Sequence, residues 1–265
     1  IRAFSKGTFS EGDGLKTGIQ TYLDAFHSVL DSVRDKGLDP AVSLVPVDRN
    51  HVPIDGSHRV AAALAFESRV PALVFDLQAN RYDFQFFRDR GLPEPMLDAM
   101  ALEFARVQPD ARLVFQFPCA AGRQDEVRSI LEESGSIAYE KSLHLQREGP
   151  ALFVRELYDK EPWTGSWSDG FAGAAKAARA RFRGPDPLRV FLVIPKTPSA
   201  TRTAKERIRQ LFGLGNEACH INDTPEETVR LAQLLFNDQS IHFLNHAHPR
   251  FFERCLLYTS PSPRD

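Results

Sequence analysis

The chain has 265 residues, of which 42% are hydrophobic and 26% are charged, the composition of an ordinary folded protein. Lys and Arg total 33 against 35 for Asp and Glu, so the net charge is -2 and no global basic excess favours nucleic acid. The apolar runs are too short to span a bilayer, and no secretory signal pattern opens the chain. Three cysteines in so long a chain predict a reducing compartment. We therefore expect a cytoplasmic protein without a membrane partner.

Both ends of the chain carry marks of an incomplete sequence. The first residue is Ile1 rather than Met, which predicts a fragment. Residues 255–265, which begin with Cys255, resemble the conceptual translation of a transposase-type sequencing adapter; a natural Pro/Ser tail is the alternative. If residues 255–265 are translated adapter sequence, the native sequence ends near Arg254 and a downstream domain could be missing. The fragment could then lack its own active site.

The first eighty residues predict a compact α/β unit with a boundary near Asn80. Apolar residues recur every three or four positions in Ile19–Lys36, which predicts an amphipathic helix ending at Gly37. Further predicted elements are strands at Val42–Val47 and Val52–Asp55, a helix at Val60–Phe66 and a buried strand at Pro71–Phe75.

Residues 81–254 predict a second α/β region of unknown function. Its aromatic start, Arg81–Asp89, is expected to pack on the first unit. Helices are expected at Pro93–Val107, Asp125–Glu133 and Ala174–Phe182, and strands at Leu113–Phe117 and Ser136–Leu145. The last third alternates strand and helix: Arg189–Ile194, Ala204–Phe212, Ala218–Asn222, Pro225–Phe236 and Ile241–Leu244. This alternation predicts a βαβαβ segment with a parallel sheet and right-handed crossovers.

The most specific motif lies between a predicted strand and a predicted helix and reads Asp55, Gly56, Ser57, His58, Arg59. A helix start offers unpaired N–H groups and a positive dipole, and glycine allows close approach to its backbone. His58 and Arg59 add donors beside that start, so the motif suits an anion or a phosphate group. The alternative is structural: Asp55 or Ser57 caps the helix and Arg59 forms a surface ion pair.

The segments Val45–Val47 and Ile54–Ala63, together with the preceding helix, resemble the ParB/sulfiredoxin-like fold over residues 15–77. The resemblance implies that Gly56, Ser57 and their neighbours His58 and Arg59 hold the phosphates of ATP or another nucleotide. We expect Asp55 and His58 to be the catalytic residues, with Asp55 orienting His58 or helping to hold a Mg²⁺–phosphate complex. Asp48 is the other acidic residue that lies near the motif in sequence.

Two departures from that family limit what the resemblance implies. Ser57 stands where sulfiredoxins carry their reactive Cys, so sulfiredoxin activity is not expected. Chromosome-partitioning relatives continue into a helix-turn-helix domain, whereas aromatic α/β sequence follows here. Nucleotide-dependent small-molecule kinases also occur in this superfamily, and phosphoryl transfer is therefore the activity that the resemblance favours.

A second constellation starts at His220 and Asp223, at the predicted end of a strand. Thr224, Pro225 and the following glutamates explain this segment as a capped helix start. Ligands bind at the carboxyl ends of strands in open parallel sheets, so His220 and Asp223 are alternatively substrate-binding residues. The basic residues Lys205, Arg207 and Arg209 of the preceding helix are expected to form a solvated face.

A diffuse resemblance to uncharacterised proteins linked to surface-polysaccharide or sugar-nucleotide metabolism spans most of residues 81–247. It implies a small-molecule or sugar substrate. The segments that carry it are Tyr139–Lys141, Tyr158–Trp163, Lys205–Arg209, His220–Thr224 and Ser240–Asn245.

Three histidines near the end, His242, His246 and His248, do not predict a metal site. In a strand, residues four apart are about 13 Å from each other, and no neighbouring carboxylate or Cys completes the set. Cys119 and Cys219 lack the spacing of a metal or redox motif and are expected to be small buried residues.

Three functions of different classes remain open. The first is an enzyme of phosphoryl or nucleotidyl transfer that acts on a small molecule or a sugar or glycan precursor. The second is a non-catalytic ligand-sensing or scaffold region of a longer protein. The third is a ParB-like module associated with nucleic acid, which the near-neutral charge disfavours. The sequence does not predict the oligomeric state.

Overall fold

The computed structural model describes residues 1–10 and 16–246. The predicted tail 255–265, with Cys255, and the third histidine, His248, lie outside the described residues. The chain divides into two compact units between Leu92 and Pro93, whereas the sequence suggested a boundary near Asn80. Both units mix helices with strands, in keeping with the α/β class. Within the described ranges, no helix is long and apolar enough to cross a membrane.

The first unit contains two longer helices, a short third one and a two-stranded parallel sheet. Its elements are α1 (Ile19–Lys36), β1 (Val45–Val47), α2 (Ser57–Ala65), β2 (Ala72–Val74) and α3 (Phe84–Asp89). The prediction for α1 is confirmed to the residue, and Gly37 ends the helix with a φ of 69°. β1 and β2 pair in parallel along their whole length.

The predicted strand Val52–Asp55 is wrong: Ile54 and Asp55 lie in a bend, which follows a polar turn at Arg49 and Asn50. The buried Asp48 carboxylate accepts hydrogen bonds from the backbone N–H groups of Asn50 (2.7 Å) and Val52 (2.9 Å), and from Ala79 (3.1 Å) in a distant loop. Only an isolated bridge, from Val47 to Pro53, remains of the expected pairing. Asp48 is thus an organising residue of the loops around β1.

Other expectations for the first unit are confirmed only in part. The strand expected at Pro71–Phe75 exists as β2, but all three of its residues are exposed rather than buried. The aromatic segment does pack on this unit: the Tyr82 ring lies 5.1 Å from Phe4 and 4.8 Å from Phe86. These edge-to-face contacts join the N-terminal segment to α3.

The second unit is a four-stranded sheet with helices packed on both faces. Its strands are β3 (Arg112–Gln116), β4 (Gly135–Leu143), β5 (Leu188–Pro195) and β6 (Cys219–Ile221). Its helices are α4 (Glu94–Val107), α5 (Gln124–Ser134), α6 (Gly149–Leu157), α7 (Ala172–Arg181), α8 (Ala200–Phe212), α9 (Pro225–Leu235) and α10 (Asp238–His246). Most of these match predicted elements within a few residues; α6 had not been predicted.

The predicted parallel βαβαβ segment is wrong. The strand order is β4-β5-β3-β6, and every neighbouring pair is antiparallel. β3, from earlier in the chain, inserts between β5 and β6 and separates the two strands that the alternation would have placed side by side. The third predicted strand, Ile241–Leu244, lies inside α10, because the Asn237 side chain caps the first turn by accepting from Gln239 N (2.9 Å).

Successive residues of β3 alternate between two core regions, as a pleated strand requires. Val114 belongs to a core with residues of α5 and α8, among them Val127 and Ile208. Phe115 contacts Phe153 of α6, with ring centres 5.5 Å apart. This central strand therefore holds the helices of both faces.

Candidate functional site

The motif of the first unit lies at the start of α2, where the sequence placed it. Gly56 is the N-cap, with φ 85° and ψ 25°, and the helix begins at Ser57. Because glycine has no side chain, the N-cap residue itself makes no side-chain hydrogen bond to the first-turn N–H groups. The positive φ favours glycine here, and a Cβ at Gly56, 2.7 Å from Arg59 Nη2, would also displace the Arg59 guanidinium.

Arg59 fastens the loop before the motif to α2. Its Nη1 donates to Ser43 Oγ and to the Leu44 carbonyl oxygen at 3.1 Å, and its Nη2 lies 3.8 Å from Asp55 Oδ2. The alternative of an Arg59 ion pair is thus present, whereas the N-cap is Gly56 and not Asp55 or Ser57. Arg59 is a positioning residue for the helix start.

The two predicted catalytic residues have different neighbours. Asp55 pairs with Arg59, and 83% of its side chain is exposed. The His58 ring packs 5.0 Å from the ring of Phe26 in α1. This contact holds His58 beside the helix start through aromatic packing.

A cavity of about 690 Å³ opens at the motif and is lined by all five residues from Asp55 to Arg59. Lys16 and Tyr22 also line it, and the Lys16 ammonium lies 5.7 Å from the centre of the Tyr22 ring. Its size suits a nucleotide-sized ligand. The sequence did not point to Lys16 or Tyr22, because only folding brings the start of α1 to the start of α2.

Asp48, the other carboxylate near the motif in sequence, is fully engaged by backbone donors. Its hydrogen bonds, first that from Ala79 and then those from Val52 and Asn50, hold its pKa below the ordinary value. Asp48 thus stabilises the turn and does not line the cavity.

In the second unit, His220 and Asp223 flank the end of β6 but have different partners. The Tyr158 hydroxyl lies 3.2 Å from His220 Nδ1, and the two rings meet edge to face. Burial, followed by the positive charge of Lys205, lowers the pKa of His220 to about 3, so the imidazole is neutral at physiological pH. The exposed Asp223 carboxylate lies 3.4 Å from Lys205 Nζ.

The capping interpretation of the segment after β6 is confirmed. Thr224 Oγ1 accepts from the backbone N–H of Glu227 (3.2 Å), and the Glu227 carboxylate accepts from the backbone N–H groups of Thr224 (3.4 Å) and Asp223 (3.0 Å). This capping box explains the polar residues at the start of α9. It does not involve His220, whose ring contacts Tyr158 and Phe115.

His242 and His246 stack in α10 with ring centres 4.1 Å apart, because four residues span about one helical turn. Within the ranges that the structure describes, no three His, Cys, Asp or Glu residues are grouped so that they could hold a metal ion. Cys219 is buried, and burial raises the pKa of its thiol to about 11. Cys119 is partly buried and its Sγ lies 3.0 Å from the Glu217 carbonyl oxygen.

No known family model matches the chain, and no curated protein is significantly similar to it.

Proposed function

We propose that the first unit binds a nucleotide, with ATP as the first choice, through phosphate oxygens at the start of α2. We further propose that the protein takes part in phosphoryl or nucleotidyl transfer to a small molecule or a sugar precursor. The observation that carries the binding proposal is the glycine N-cap of α2, which lines a cavity together with Lys16 and Ser57. The backbone N–H groups of a helix start, a hydroxyl and an ammonium are donors that suit a phosphate.

The proposal gives roles to four residues of the motif and to Lys16. The backbone at Gly56 and Ser57 receives the phosphate, and Lys16 neutralises its charge. Arg59 keeps the helix start in place through the Leu44 carbonyl. Asp55 is exposed at the cavity and can share a Mg²⁺ ion with the phosphates, since Mg²⁺ binds one or two carboxylates together with phosphate oxygens.

A non-catalytic ligand sensor is the second candidate function. Among the described residues, Asp55 is the one carboxylate that lines the cavity, and it already pairs with Arg59. A transferase needs a group that activates the acceptor as well as groups that hold Mg²⁺. The two candidates share the binding site and differ in whether ATP is consumed.

Calorimetry with ATP, ADP and CTP, each with and without Mg²⁺, tests the binding proposal. Lys16→Ala removes a charge-assisted contact and is expected to weaken binding about tenfold or more, since such contacts contribute about 1.5–3 kcal/mol. Lys36→Ala removes the same charge from the exposed far end of α1 and is the matched control, expected to bind like the wild type. Arg59→Ala is less specific because it also releases Ser43 and Leu44.

Absence of binding by all three nucleotides would reduce the motif to a helix start and end the proposal. Binding without nucleotide consumption, in the presence of sugar or other small-molecule acceptors, would favour the ligand sensor.

A further inference from the structure

The hydrogen-bonded pair of Tyr158 and His220 lies in a strongly basic environment within the second unit. Arg181, at the end of α7, lies over the Tyr158 ring with its guanidinium carbon 5.7 Å from the ring centre. Only 8% of Arg181 is exposed, and its Nη1 donates to the Ala177 carbonyl oxygen at 3.1 Å. Arg181 is thus a cation held beside the Tyr158 hydroxyl.

Two more cations approach from α8. Arg209 Nη2 lies 3.5 Å from the carbonyl oxygen of Cys219, the residue before His220. Lys205, one turn earlier, is 18% exposed and reaches towards the end of β6. The expectation of a solvated basic face is wrong for these two residues; Arg207, which lies between them, does turn outward and pairs with Glu133 at 2.6 Å.

This cluster, defined by Arg181, Lys205 and Arg209, has too few acidic partners. Among the described residues, neither Arg181 nor Arg209 has a carboxylate within ion-pair distance, and the Nε atoms of both are buried without a hydrogen-bond acceptor. Lys205 has one partner, Asp223, which is mostly exposed. Largely buried guanidinium groups without an acidic partner are costly, so a protein that keeps them gains from an anion that balances their charge.

We propose that Arg181, Lys205 and Arg209, with the His220 ring that the Tyr158 hydroxyl orients at Nδ1, form a binding site for the phosphate group of a small molecule. Two guanidinium forks and one ammonium match the charge and the tetrahedral oxygens of phosphate. His220 is neutral, so its ring can donate one hydrogen bond to the anion without adding charge. Tyr158, His220, Lys205 and Arg209 are each partly exposed, which leaves the cluster accessible from solvent.

This site is independent of the proposed nucleotide site, because all of its residues belong to the second unit. The two can therefore be tested separately in the full chain. Inorganic phosphate is the probe, and its binding is followed by calorimetry and by the side-chain NMR resonances of His220. Phosphate next to the ring is expected to shift these resonances and to raise the pH at which His220 titrates, since it offsets the three positive charges.

Arg209→Gln and Lys205→Met are each expected to weaken phosphate binding at His220 about tenfold or more. Arg207→Gln removes the same charge from the same helix, outside the cluster, and is the matched control, expected to stay within about twofold of wild type. Lys16→Ala should leave the His220 response unchanged, since it affects only the first unit. Circular dichroism of each variant verifies folding, and Lys205→Met decides the matter if Arg209→Gln does not fold.

The proposal is overturned if phosphate leaves the His220 resonances unmoved. It is also overturned if equal ionic strengths of chloride and phosphate have the same effect, because that result indicates general screening. Equal losses in Arg207→Gln and Arg209→Gln would likewise assign the effect to net charge and not to this site.

Discussion

Lys141 of β4 and Asp98 of α4 form an ion pair that is almost completely enclosed, with 7% and 2% of the two side chains exposed. The Tyr139 hydroxyl donates to Asp98 at 2.8 Å and lies 3.0 Å from Glu94 Oε1. Burial raises the pKa of Asp98 more than its contacts with Lys141 and Tyr139 lower it. The pair joins the edge strand of the sheet to the first helix of the second unit.

Because the pair is buried, removing one partner leaves an uncompensated charge. We expect Lys141→Ala to reduce the free energy of unfolding by about 3–5 kcal/mol, as measured by urea titration. The double variant Lys141→Met with Asp98→Leu replaces both charges by apolar groups and should recover most of the loss. A single variant as stable as the wild type would show that water reaches the pair.

At Gly173 in α7, the surroundings reverse the usual effect of a glycine-to-alanine substitution on stability. Replacing a glycine inside a helix by alanine normally stabilises the helix by about 1 kcal/mol. Here the new Cβ would lie 1.7 Å from the carbonyl oxygen of Trp163, a backbone atom that cannot rotate away. We expect Gly173→Ala to destabilise the protein by about 1–3 kcal/mol in thermal or urea unfolding. Lys176→Ala, on the exposed side of the same helix, is the control; equal stability of both variants would contradict the close packing.

His220 predicts a specific dependence of stability on pH. The pKa of His220 is about 3 in the folded state, and the ordinary value of 6.5 applies to the unfolded chain. Between these two pH values the unfolded chain therefore binds more protons than the folded one. The stabilising contribution is complete above pH 6.5 and is lost as the pH falls towards 3. From pH 7 to pH 5 we expect a loss of about 2 kcal/mol from this residue, measured by urea unfolding at both pH values. His220→Gln should lack that part of the change; identical pH profiles would exclude His220 as its source.

Local patterns predicted the elements well where a single segment determines its own structure. The apolar stripe of α1 and the stop at Gly37 are properties of contiguous residues, and the structure confirms both. The strand expected at Ile241–Leu244 fails for the opposite reason. A short apolar run is compatible with the two-residue period of a strand and with the 3.6-residue period of a helix, and the Asn237 cap favours the helix.

Pairing between distant segments could not be predicted in the same way. Strand–helix alternation after Arg189 is typical of a parallel sheet, but it contains no information on β3, which comes from an earlier part of the chain. For the same reason, the sequence located the Gly56 motif without Lys16, and it described Lys205 and Arg209 as a solvated face. Helix periodicity identifies residues on the same face of one helix. The tertiary fold alone determines that this face of α8 lies near His220 of β6 and Tyr158.

The central position of β3 also imposes an order on synthesis of the chain. Its partners, β5 and β6, both come later in the chain. Pairing with β5 is complete only when Val193, the partner of Arg112, has been synthesised. Because translation adds about 5–20 residues per second, either partner strand is synthesised several seconds or more after the apolar segment Leu113–Phe115. During translation of this unit, α4 and α5 can form early, whereas the sheet can close only after most of the unit has left the ribosome. A nascent chain halted before Leu188 would therefore expose β3 to chaperones or to pairing with other chains.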